Sequence, residues 1–275
     1  MAISSMDGLV AAFTGACQDI PIYHSLLTGT SSLFFGLDRW GTGSPWGTAS
    51  APTAYTVGAD VPTDATHGFP DLNDPPAGQN LYLAGCTLQS SIFGSIGIYD
   101  RVWASAGFSG NTTTTQTVVG GAATIPAARC PNNGQGLEIW LEWYGATGAS
   151  GPAATVTYTN SAGVANRSTI ATSTFANPPL GTMRRLPLAD GDTGVQRIQS
   201  LTFSGTSGAV GNIAIVLLKR VAMISLPVAN VAVTADFATL GLPRIEPDAC
   251  LQMVMHAAPT ASNAFVMGSL SVVAG

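Results

Sequence analysis

A chain of 275 residues can form one large β domain or a smaller domain with long arms, and either way can bury a sizeable core. Only 9% of its residues are charged and Lys219 is its single lysine, where an ordinary soluble domain carries about 25% charge. The net charge of −5 comes with no basic stripe, which argues against nucleic-acid binding, and although 46% of residues are hydrophobic, no long apolar run is present to span a membrane.

Taken in chain order, Ser4–Leu27 shows weak helical periodicity (Met6, Leu9, Val10, Phe13, Cys17, Ile20), which leaves room for one short helix. No Lys or Arg precedes its mildly apolar stretch, so it is read as no export signal, and synthesis in a reducing cytoplasm is expected. From Thr28 to Gln79 the text is rich in Gly, Pro, Thr and Asp and has no periodic element, as in an arm or lid. It also holds Trp40, Trp46, Tyr55 and Phe69, which disordered linkers seldom carry. We therefore read residues 1–79 as an N-terminal arm ordered against a neighbouring subunit. Residues 1–100 hold eight acids against one base, Arg39. Of these, Asp60, Asp64, Asp71 and Asp74 read as turn-capping aspartates, or as an acidic patch that docks on a basic neighbour.

From residue 80 to 275 strand patterns dominate. NLYLAGCTLQ, IGIYDRVWAS and TQTVVGG come first, then GLEIWLEWYG. Alternation in the last puts Leu137, Ile139, Leu141 and Trp143 on a core face. Its other face interleaves Glu138 and Glu142 with Trp140 and Tyr144 and suits a contact surface. AATVTYTN and RSTIATSTF follow, joined by SAGVAN in a hairpin. NIAIVLLKRVAMISL is apolar enough for a buried helix, but its β-branched content favours a strand. Many short strands between turn signals give the expected fold class: mainly β, an antiparallel β-sandwich of jelly-roll type with a long N-terminal arm. A transmembrane barrel would need steadily alternating strands and aromatic girdles, which are not seen.

Candidate chemistry is thin. Asp190-Gly-Asp192-Thr-Gly194 opens like a calcium loop, but the next alternate position is Gly and no Glu follows nearby, so an acidic turn is expected. His24, His67 and His256 lie in different segments without ligand spacing. Cys17, Cys86, Cys130 and Cys250 are far apart and read as free, mostly buried thiols. Neither a GxSxG elbow, a P-loop nor a GxGxxG fingerprint is present. The expectation is no enzyme, no metal and no cofactor.

The run LEIWLEWYGATGASGPAATVTYTNSAGVANRSTIAT, with MRRLPLADGDTGVQRIQSLTFSGTSGAVGNIAIVLLKRVAMISL after it, resembles virion structural proteins of tailed bacteriophages. Capsid decoration, cement or minor head proteins of jelly-roll type are the nearest in style, and the hairpin of Tyr158, Thr159, Asn160, Gly163, Asn166 and Arg167 is the most suggestive piece. The resemblance covers roughly residues 137–226. It implies a non-enzymatic bacteriophage structural protein, a homo-oligomer with a trimer favoured, whose partners are the major capsid protein or other virion proteins. Its location would be the virion, assembled in the host cytoplasm. Trp40, Trp46, Trp103, Trp140 and Tyr144 are the candidate interface anchors, because desolvated aromatics often dominate binding energy. The competing reading is a carbohydrate- or cell-surface-binding β-sandwich module of a phage spike or fibre.

Overall fold

The computed structural model describes residues 3, 5–15, 17–29, 33–37, 46–119, 125–258 and 261–275. In chain order the elements are α1 (Met6–Gly15), β1 (Cys17–Gly29), β2 (Phe34–Gly36), β3 (Leu81–Ser90), β4 (Gly94–Phe108), β5 (Gln116–Thr117), β6 (Leu137–Gly145), β7 (Ala153–Asn160) and β8 (Arg167–Ser168). There follow β9 (Thr172–Ser173), β10 (Thr182–Leu186), β11 (Val195–Phe203), β12 (Asn212–Leu226), β13 (Val233–Asp236), α2 (Phe237–Leu240), β14 (Arg244–Ile245), β15 (Leu251–Ala257) and β16 (Ala261–Ala274). The protein is mainly β with antiparallel sheets, as expected of a β-sandwich. The helical periodicity at the start ends at Gly15; the residues after it alternate and form β1.

The chain divides into two compact units. Unit 1 holds residues 1–49, 63–100 and 221–275; unit 2 holds 50–62 and 101–220. In unit 1 an antiparallel sheet runs β1-β16-β3-β13, with β14 also paired to β3. Ile20, Ile22 and His24 of β1 point inward, while Cys17, Asp19, Pro21 and Tyr23 point out. A second ladder pairs β15 with β2 and with the start of β4. The β1–β16 and β2–β15 pairs keep one register offset, so the same two stretches of chain serve both ladders, as strands do at sandwich corners. Helix α1 covers one end of the first sheet, packing Leu9 and Ala12 on Tyr82, Ala84 and Val273.

Unit 2 is a sandwich around one core. One sheet is β10-β6-β12 and the other β5-β11-β7-β8, with β9 on β7. Leu137, Ile139, Leu141 and Trp143 meet Ile213, Ile215 and Leu217 of β12, and face Ala154, Val156 and Tyr158 of β7 with Val195, Ile198, Leu201 and Phe203 of β11. The spacing of the β11 residues departs from strict alternation because register shifts lie between Val195 and Arg197 and between Ile198 and Ser200. In β12 residues 213–218 are all buried, which explains an unbroken apolar run in a strand.

Residues 50–62 of the Gly/Pro-rich stretch are ordered by their own chain. Tyr55 stacks on Phe108 with ring centroids 4.4 Å apart, and residues 54 and 60 bridge to Ala106 and Ala104 of β4. Asp60 fixes the turn by accepting from Thr53 N at 2.6 Å and Thr53 Oγ1 at 2.5 Å.

Since Leu141 is 0% exposed in the unit 2 core, Leu141→Ala should cost about 2–5 kcal/mol in denaturant unfolding. Val164→Ala, at an exposed loop position, should stay within about 0.5 kcal/mol of wild type.

Candidate functional site

The structure places the sequence-derived anchors mostly inside. Trp103, Trp140 and Tyr144 are 1%, 1% and 7% exposed, so burial within the chain removes them as docking anchors. Trp46 is half-buried, its carbonyl accepting from Gly68 N at 2.9 Å. Trp40 lies outside the described residues.

Burial of Tyr144 and Glu142 has a specific cause. Arg101, itself 2% exposed, reaches Glu142 Oε2 at 2.7 Å and donates to the Tyr144 hydroxyl at 3.0 Å. The Tyr144 hydroxyl donates to the same Glu142 oxygen at 2.8 Å. The second face of β6 is therefore a buried polar layer and not the contact surface its alternation suggested. Such a pair adds little net stability, but loss of one partner would strand a buried charge. Trp140 completes the face by donating from Nε1 to Glu138 Oε2 at 3.0 Å, and Arg185 pairs with Glu138 Oε1 at 3.2 Å.

The two segments singled out by motif converge on one carboxylate. Asp192 accepts from the Tyr158 hydroxyl at 2.6 Å, Asn160 Nδ2 at 2.7 Å and Arg167 Nε at 2.9 Å. The turn before it closes by Asp192 N donating to Ala189 O, with Gly191 at φ 82°. Asn160 Oδ1 also accepts from Ala162 N and Val164 N, which shapes the β7–β8 hairpin. Burial alone would raise the Asp192 carboxyl, but the hydrogen bonds from Arg167, Tyr158 and Asn160 outweigh it and hold it below the ordinary range. Burial and the bond to Asp192 push the Tyr158 phenol up to about 12. With three partners the Asp192 carboxylate is a structural latch between two loops, so the calcium-like spelling marks a turn.

Unit 1 gathers a different set. Carboxylate oxygens of Asp64, Asp74 and Asp248 lie within 4.8 Å of one another; among the described residues no other three His, Cys, Asp or Glu side chains are so placed. Burial raises the Asp64 carboxyl, and the charges of Asp248, Asp71 and Asp74 raise it further. Nothing in the sequence spacing tied Asp248 to the acidic run; the fold does so. His24 is buried in β1, and burial pushes it down to about 4. His256 stacks on Phe34 at 4.5 Å. Cys17 is exposed and the other three cysteines are buried, all as free thiols.

No family model and no curated protein matches the chain. Among solved structures, the VP2 subviral particle of infectious bursal disease virus is 11% identical over 94% of this chain and 80% of that one, with a TM-score of 0.20. The same virus's Gx strain structure gives 11% identity over 94% and 79%, with a TM-score of 0.19. Scores this low carry no functional argument.

The latch yields a signed pH dependence. A carboxyl whose folded pKa is lowered contributes stability that is complete above about pH 4 and is lost as pH falls through the folded value. Asp192→Asn should lower the melting temperature at pH 7 by roughly 5 °C. The gap between variant and wild-type melting curves should narrow as pH drops below about 4.

Proposed function

We propose that this chain is a non-enzymatic structural subunit that works by self-association, as a component of a virion that docks on or cements a capsid. The observation that carries the reading is large apolar side chains left outside on a chain with hardly any charge. On α1, Leu9 and Ala12 face the sheet while Met6, Val10 and Phe13 are 60%, 55% and 39% exposed. Their spacing of four and three residues makes one stripe along the helix. A helix apolar on nearly every side is normally buried, and here Asp7 is its one charged residue.

The outer face of the first sheet of unit 1 continues the theme. Tyr23 and Met267 are register partners, 43% and 37% exposed. Around them stand neutral Thr87, Ser269 and Ser271, with Asp19 bonded to Ser271 at 2.6 Å. Single exposed apolar residues need no explanation, but grouped ones rimmed by polar groups mark contact surfaces. The virion setting rests on the likeness of residues 137–226 to phage head proteins and agrees with the β-sandwich. On a symmetric shell a modest contact repeated by an oligomer gains strength through avidity.

Light scattering across a wide concentration range should show a trimer or larger closed oligomer that persists on dilution. The Met6→Ser/Val10→Ser/Phe13→Ser variant should raise the dissociation constant at least about tenfold. A monomer at every concentration would overturn the reading.

A further inference from the structure

Charge is divided unevenly between the two units. Unit 1 carries ten acids and two bases, a net of −8, and unit 2 five acids and eight bases, a net of +3. Many charges of unit 2 are spent internally: Arg101 on Glu142, Arg167 on Asp192, Arg185 on Glu138. Arg129 donates to the carbonyls of Pro62 and Arg101.

Arg220, like Arg197, differs. It is exposed and has no acidic partner among the described residues. Together with Lys219 and Arg185 it lines a cleft of about 650 Å³ in unit 2 whose wall includes Leu137, Leu186 and Leu188. Glu138, Asp190 and Asp192 line it too; Glu138 and Arg185 neutralise each other and Asp192 is held by the latch, which leaves Lys219 and Arg220 against the exposed Asp190. On unit 1, Asp71, Asp74 and Asp248 are exposed and Asp64 half-buried, and among the described residues no cationic side chain pairs with any of them.

We propose that the occupant of this cleft is a second copy of the chain, which presents the acidic surface of its unit 1 to Lys219 and Arg220. The inference deepens the self-association reading and rests on it. Exposed ion pairs add little affinity in water. Their larger effect is to steer encounter and exclude wrong pairings, since like charges brought together are costly. Apolar contact would hold the copies, and charge would decide which faces meet. Because the two faces differ, the contact is heterologous, and it closes a ring or extends along a lattice according to its rotation.

The test is a charge swap read by light scattering. One variant carries Lys219→Glu/Arg220→Glu and the other Asp64→Lys/Asp74→Lys/Asp248→Lys, each first checked for a wild-type circular dichroism spectrum. Each alone should associate at least about tenfold more weakly than wild type, and a chain carrying both sets of substitutions, in which every contact is again complementary whatever the ring size, should recover the wild-type mass. Arg220→Glu alone, which removes no ion pair among the described residues, should weaken association in the same direction, as should a rise in salt from about 0.05 to 0.5 M for wild type. Variants that assemble like wild type, or a folded chain with both sets that fails to recover, would overturn the proposal and leave the self-association reading standing. Wild type that stays monomeric in all salts would overturn both.

Discussion

Scarcity of charge is the constraint on which the rest of this structure depends. With ten cationic side chains in 275 residues, few are left for the surface once the interior has taken its share. Arg101 neutralises Glu142 beneath β6, Arg129 satisfies two carbonyls, and Arg167 closes on Asp192. Each joins pieces of chain distant in sequence, where a buried polar group without a partner would be costly. The consequence is an exterior on which Met6, Val10, Phe13, Tyr23 and Met267 meet solvent with little charge around them.

The fold was legible where periodicity is strong. Alternation in β6 places its unit 2 core residues correctly, and β-branched content identifies β12 as a strand. The turns at Gly163 and Gly191 follow from residue type, both glycines having positive φ. What could not be read was the second face of β6. Nothing near residues 137–145 announces that Arg101, in another strand, will bury Glu142 and Tyr144. Alternation reports that a strand has two faces and is silent on what covers each. For the same reason Trp103 and Trp140 looked like anchors and proved to be interior.

The site-like features divide into those that hold the fold and those left open. Motif spelling drew attention to Tyr158, Asn160, Arg167, Asp190 and Asp192, and four of these five form one closed hydrogen-bonded latch. Three donors from the chain itself already satisfy most of this carboxylate. Among the described residues, charged groups without an opposite partner lie elsewhere, the aspartates of unit 1 and Arg220 among them, and short-range sequence pattern says nothing about their grouping. Asp248 joins Asp64 and Asp74 only because the fold of unit 1 brings them together.

The central claim is that the exposed apolar side chains of unit 1 are covered by protein when the chain works. Hydroxyl-radical footprinting of the exposed methionines Met6, Met223 and Met267 (60%, 47% and 37% exposed in the single chain) tests it most directly. As protein concentration rises through the association range, oxidation of Met6 and Met267 should fall severalfold, while the buried Met183, Met253 and Met255 stay unreactive throughout. Equal oxidation of Met6 and Met267 in dilute and concentrated protein would show that this surface faces water after all and would contradict the account.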